Sequence, residues 1–222
     1  MPVDDCSEKI YNKTMIEFEL KFRISTPPLV LNKFQKIKES SGQDFYYDTS
    51  GYDLIKGGNF LRFRNDKQID FKLYWGDDEH FHCRETSFTP NDFHPNNPNL
   101  LEIFDFLGIK VNLDFTDFQS FIAVNNFELL APIVKHRITY KIDNAMDVMV
   151  DTVDNLGNFM EAEMMLDESA AIDKAAIKKS MLEKLEQLNI IDKSPELVNI
   201  GYVELYLLEN NKSAYDLGRY KI

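Results

Sequence analysis

With 222 residues, 44% of them hydrophobic, and 17 Phe, the chain can bury one sizeable core, which excludes an intrinsically disordered protein. A net charge of -12 argues against bulk electrostatic binding to nucleic acid or an anionic membrane, while leaving room for a small basic pocket. Cys6 and Cys83 are too few for a disulfide framework, and neither a transmembrane-length apolar run nor a signal-peptide core is present, so a cytoplasmic protein is expected.

Residues 1–14 are polar and aperiodic and read as a tail. From Ile16 to Arg23 the chain alternates strictly, with Ile16, Phe18, Leu20 and Phe22 set against Glu17, Glu19, Lys21 and Arg23. That is the period of a β-strand, with neighbours on one face roughly 6.5–7 Å apart. Thr26-Pro27-Pro28 followed by Leu31, Phe34 and Ile37 predicts a helix, closed by Ser40-Ser41-Gly42. Gln43 to Thr49 is a short aromatic strand, and 51–58 is a turn-rich connection. Strands follow at 59–65, 68–75 and 79–88, joined through Asp66-Lys67 and Gly76-Asp77-Asp78 as an antiparallel meander. A proline-rich loop leads to a helix at 99–107, stopped by Gly108, and a second at 117–124. Strands at 132–142, 146–153 and 159–165 precede the clearest helix, 170–188, on which Ile172, Ala176, Met181, Leu185 and Leu188 trace one stripe. After Ser194-Pro195, residues 198–209 form a last amphipathic piece. The expected organisation is a tail at 1–14, one domain at 15–209 and an extension at 210–222.

Four strands each carry two like charges at i and i+2: Glu17/Glu19, Arg62/Arg64, Lys135/Arg137 and Glu161/Glu163. Like charges on neighbouring same-face positions repel, so their segregation points to a shared interior that binds an anion and a cation together. Lys21, Lys72 and Arg84 add positive charge, and Asp151 adds a carboxylate. The apolar faces need helices outside, which turns the charged faces into the lumen of a barrel of about eight strands. Guanidinium groups match phosphate oxygens, and carboxylates beside them would repel that anion unless a hard divalent ion, Mg²⁺ or Mn²⁺, intervened. The pattern reads as a metal–triphosphate site in which chemistry rests on positioning and charge neutralisation. No Cys-His or Ser-His nucleophile arrangement and no Walker-type glycine loop stands out. Of the adjacent Arg84 and Glu85, which must face opposite ways, Arg84 is assigned to the interior; Tyr46, Tyr47 and Trp75 are assigned to core packing.

Glu17-Phe18-Glu19-Leu20-Lys21 resembles the ExExK signature of the CYTH, or triphosphate tunnel metalloenzyme, superfamily. The later order is similar as well: YYDT at 46–49, LRFR at 61–64, FKL at 71–73, RE at 84–85, KHR at 135–137, a strand Asp at 151 and LGNFMEAE at 156–163. The resemblance implies an α+β fold, an eight-stranded antiparallel β-barrel or tunnel wrapped by helices. It implies Glu17, Glu19, Asp151, Glu161 and Glu163 on the metal side, with Lys21, Arg62, Arg64, Lys72, Arg84, Lys135 and Arg137 gripping phosphates and Lys21, Glu17 and Glu19 at the chemistry. The activity implied is Mg²⁺- or Mn²⁺-dependent hydrolysis of inorganic, thiamine or nucleoside triphosphate. The alternatives are a class IV adenylate cyclase and a non-catalytic polyphosphate or nucleotide-binding module. A small-molecule triphosphate is the expected partner, with no nucleic acid or membrane, for a monomer or homodimer.

Overall fold

A computed structural model describes residues 15–76, 81–167, 173–192 and 195–219. Strand β1 (Met15–Ile24) is followed by a 3-10 turn (Leu29–Lys33), β2 (Gln35–Thr49) and the short helix α1 (Asp53–Lys56). The meander β3 (Phe60–Arg64), β4 (Gln68–Gly76) and β5 (Phe81–Phe88) comes next, then α2 (Pro98–Leu107) and α3 (Phe118–Val124). The chain continues through β6 (Phe127–Lys141), β7 (Met146–Val153), β8 (Gly157–Asp167), α4 (Lys174–Gln187), α5 (Tyr202–Asn210) and α6 (Lys212–Leu217). All eight strands belong to one antiparallel sheet in the order β1-β8-β7-β6-β2-β3-β4-β5. Among the described residues no ladder joins β5 back to β1, yet residues of β1, β4 and β5 line one cavity, so the sheet curves until its two ends face each other. Among the described residues no helix is long and apolar enough to cross a membrane.

Alternation sorts each strand onto two faces. The outward faces of β3, β4 and β5 put Leu61, Phe63, Phe71 and Phe88 into a phenylalanine-rich core with Phe104 of α2 and Phe118 and Phe121 of α3. Asn97 caps α2, Gly108 ends it in the left-handed region at φ 63, and Asp117 with Ser120 forms the capping box of α3. The outward faces of β1, β7 and β8 supply Leu20, Phe22, Val148 and Met160 to a second core, closed by Met181 and Leu185 of α4. A third core lies on the inner face, where Phe60, Ile133 and Phe159 meet Tyr202, Val203 and Leu205 of α5. The inner face is therefore apolar where α5 covers it and charged beyond.

The helix expected from Pro27 to Ser41 is instead a 3-10 turn followed by the first half of β2. β6 is fifteen residues long, and its segment from Lys135 to Lys141 pairs with Gln35 to Gly42. The apolar residues that suggested a helix make no buried stripe: Leu31 is buried, while Ile37 is 46% exposed. The β3–β4 turn centres on Asn65 and Asp66, both at positive φ (52 and 54), one residue earlier than expected. The start expected for the long helix at 170–172 and the turn residues Asp77-Asp78 fall outside the described residues. After Pro195 the chain runs along β1: Arg23 N–H donates to Glu196 O (3.0 Å) and Val198 N–H to Lys21 O (2.9 Å). This short antiparallel addition covers the exposed edge of β1 and delivers α5 to the inner face.

Candidate functional site

Register decides which charges share the inner face. Across β6, β7, β8 and β1, Arg137 lies opposite Asp151, Asp151 opposite Phe159, and Lys21 opposite Glu161. Arg137 holds Asp151 through two bonds, Nε to Oδ1 at 2.6 Å and Nη2 to Oδ2 at 2.5 Å, and also donates to Glu161. The Tyr202 hydroxyl donates to Asp151 Oδ2 (2.8 Å), and Lys135 Nζ stands 3.8 Å from the same oxygen. Lys21 Nζ lies 3.3 Å from both Glu161 and Glu19. The Tyr202 ring meets two ammonium groups, Lys21 at 4.8 Å and Lys135 at 5.2 Å from its centroid.

A second group comes from β2 to β5. Arg62 donates to Asp70 through Nε (2.9 Å) and Nη2 (2.6 Å) and to Glu85 (2.9 Å). Asp70 also accepts from Gln68 (2.7 Å) and Ser87 (2.6 Å), and Arg64 holds Asp44 at 2.8 and 3.1 Å. A cavity of about 430 Å³ opens here, lined by Glu19 and Lys21 from one end of the sheet, Arg62, Lys72 and Glu85 from the other, and Tyr202 and Glu204 from α5.

These neighbours set the proton affinities. Burial would lower the Lys21 ammonium, but Glu161 and Glu19 hold it above its ordinary value. For Lys135, burial and the charge of Arg137 together prevail over Asp151, and its pKa is lowered. Burial would raise Asp151, but hydrogen bonds and charge from Arg137, with help from Lys135 and Tyr202, hold it below the usual carboxylate range. Asp70 is likewise lowered against its burial, through Ser87, Gln68 and Arg62. Burial pushes the Tyr46 hydroxyl up to about 12 and raises the Glu204 carboxyl.

Of the residues singled out from sequence, Glu19, Lys21, Arg62 and Lys72 share the cavity. Lys135, Arg137, Asp151 and Glu161 form the adjoining network, joined to the cavity through Lys21 and Tyr202. Arg64 lies beyond, held by Asp44, and the side chain of Glu17 falls outside what is described. Arg84 is a correction. It pairs with Leu73 on the outer face and binds Glu102 of α2 (2.9 Å), while Glu85, opposite Lys72, lines the cavity. Residues directly opposite across an antiparallel pair share a face, which decides between the two neighbours. Tyr46 packs edge-on against Phe60 of the inner core and also lines the cavity, and Tyr47 packs on Phe118. Asp44, Asp70, Tyr202 and Glu204 were not singled out; Asp70 shares the parity of Lys72 and Tyr74, and that was the available signal.

Carboxylates also face one another. Glu19 is directly opposite Glu163, and Glu163 opposite Asp147, a row across β1, β8 and β7. Facing like charges repel, and lysines already answer part of that, with Lys21 3.3 Å from Glu19 and Lys141 2.8 Å from Asp147; the carboxylate oxygens are the donor type a hard divalent ion takes. Among the described residues no three His, Cys, Asp or Glu side chains stand close enough to cage a metal unaided.

Solved structures share this architecture. PH1819 from Pyrococcus horikoshii OT3 superposes with TM-score 0.54 at 21% identity, over 88% of this chain and 100% of the other. HpAC1 from Hippeastrum, a candidate adenylyl cyclase with a dominant triphosphatase activity, gives TM-score 0.58 at 16% identity over 88% and 96%. A candidate adenylate cyclase from Vibrio parahaemolyticus gives 0.50 at 19% over 85% and 96%. No curated protein sequence matches the chain. The CYTH domain profile matches residues 15–197, a span that runs from β1 with its Glu-x-Glu-x-Lys repeat through all eight strands, and on that evidence the chain belongs to the CYTH family.

Proposed function

We propose that the protein is a metal-dependent phosphohydrolase acting on a triphosphate held against the inner face of the sheet. The observation that carries this reading is the convergence of Lys21, Arg62 and Lys72, from three separate strands, on one cavity that adjoins Lys135 and Arg137. Lys21 and Arg62 bind phosphate oxygens by exchanging carboxylate partners for phosphate, Lys72 adds its charge beside them, and Arg62 offers the bidentate fork suited to phosphate. Lys21 neutralises charge on the transferred phosphoryl group, and Lys135 and Arg137 supply the positive field behind it. Glu19, Glu161 and Glu163, with Glu17 on the same strand as Glu19, would hold Mg²⁺ or Mn²⁺, which supplies Lewis-acid charge neutralisation when bound. The triphosphatase activity reported for the Hippeastrum relative supports hydrolysis over cyclisation.

The test is incubation with Mg²⁺ or Mn²⁺ and inorganic triphosphate, thiamine triphosphate or ATP, resolving orthophosphate from pyrophosphate plus cyclic nucleotide. Orthophosphate is expected. Cyclic AMP with pyrophosphate would assign a cyclase, and tight binding without turnover a binding module. A protein whose melting temperature no triphosphate raises would refute all three.

A further inference from the structure

Asp48, in the YYDT stretch at 46–49, is a buried carboxylate to which the site gives no role. It is 1% exposed and does not line the cavity. Its oxygens accept three backbone amides, those of Thr49 (2.7 Å), Leu54 (2.9 Å) and Ile55 (3.0 Å). Burial outweighs these bonds and raises its pKa, so the ionised group is kept against a cost. What the three amides fix in place is α1.

α1 in turn seats the end of the chain. The Ile55 carbonyl accepts the amide of Gly58 (2.9 Å) and also that of Arg219 (2.8 Å). Gly58 stands at φ 76, and a Cβ there would lie 2.6 Å from Arg219 O, so the close approach needs glycine twice over. Tyr52, just before α1, is held at φ 60, uncommon for a bulky residue, and its hydroxyl accepts Asn211 Nδ2 at 3.3 Å. Asn211 joins α5 to α6 and caps α6 through the amide of Ala214 (3.2 Å). Ile55, Leu207 and Ala214 are fully buried in one core. α5 is therefore anchored at both ends, by residues 196–198 on β1 and by Asn211 to Arg219 on α1. Between the anchors, Tyr202 is set on Asp151 and beside Lys21 and Lys135. The family match ends at residue 197, so the second anchor lies beyond it.

We infer that Asp48 is a positioning residue for the inner-face site, acting through α1 and the C-terminal segment to place Tyr202. The structural link stands on its own; its effect on turnover rests on the triphosphate reading above.

Hydrogen exchange read by mass spectrometry, on the protein without ligand, tests the link. Asp48→Asn sets an amide nitrogen against a backbone donor, and Gly58→Ala disturbs the seat from the other side. Each should speed exchange of the amides at 203–217 at least about fivefold, while β7 and β8 keep the parent's rates. Asp117→Asn alters the cap of α3 and should leave 203–217 unchanged. With inorganic triphosphate and Mg²⁺, Asp48→Asn and Gly58→Ala should each lower kcat more than KM. Adding Tyr202→Phe to Asp48→Asn should then cost little more, because the hydroxyl is already displaced. Parental exchange at 203–217 in both variants overturns the inference. So does an equal rise across β7 and β8, or rate losses that multiply in the double variant. If the unaltered protein turns over no triphosphate, the triphosphate reading falls, and the exchange rates alone decide the role of Asp48.

Discussion

Replacing Asp151 by Asn removes one charge from the most enclosed point of the network. Asp151 has no exposed surface and accepts two bonds from Arg137 and one from Tyr202, with Lys135 at 3.8 Å. Asparagine is isosteric but acceptor on one side only, so its amide nitrogen must face a guanidinium or hydroxyl donor. Breaking a buried ion pair from one side costs about 3–5 kcal/mol, and Glu161 still neutralises part of Arg137, which favours the lower end, about 3 kcal/mol. For a chain of this size that is a fall in melting temperature of about 6–12 °C. Differential scanning calorimetry at pH 7 measures it directly. The pH profile carries a second signature. Because Asp151 is held below its ordinary pKa, its contribution is complete above about pH 4, the value of an unfolded Asp, and is lost as pH falls through the lower folded value. Asp151→Asn should lack that acid-side loss. A variant melting within 2 °C of the parent (~1 kcal/mol or less) would refute the view that this carboxylate organises the surrounding cations.

Arg62→Ala should raise the KM for triphosphate at least about tenfold while the fold persists, since Asp70 keeps Ser87 and Gln68; steady-state kinetics with a thermal melt would show both. Glu163→Gln should weaken the response to added Mg²⁺ by at least about 10–100-fold, read as the metal concentration for half-maximal turnover; an unaltered metal titration would remove Glu163 from that role. Lys135 must be protonated to hold an anion, and burial with Arg137 lowers its pKa. Affinity for inorganic triphosphate, followed by calorimetry from pH 7 to 10, should therefore fade below the pH of about 10.4 at which a free lysine titrates, and Lys135→Arg should shift the fading upward. Tyr202→Phe should lower stability by about 1 kcal/mol and affect kcat more than KM, because the hydroxyl acts through Asp151; an equal effect on both parameters would count against that positioning role.

Strand parity made the inner face legible. Lys21, Arg62, Lys72, Lys135, Arg137 and Glu161 were all marked by alternation with large apolar residues, and each stands on that face. Parity alone does not distinguish the adjacent charges Arg84 and Glu85; only the register opposite Leu73 and Lys72 separates them. Asp44 and Asp70 carry no mark of their own in the sequence, because their importance comes from arginines on neighbouring strands. Residues 35–42 have weak local preference and are set by the long partner β6. Tyr202 and Glu204 were unreadable for a different reason: nothing in a short amphipathic helix says whether it packs outside a sheet or on its inner surface.

The strand that begins the described chain has a delayed assembly. β1 pairs with β8 on one side and with residues 196–198 on the other, so both its neighbours lie more than 130 positions downstream. While the ribosome is still making the middle of the chain, Phe18, Leu20 and Phe22 have no native strand beside them. Contacts of such long range form slowly and leave a sticky segment waiting. Productive folding at high concentration should accordingly depend on holding that first segment apart from other copies until the last quarter of the chain arrives.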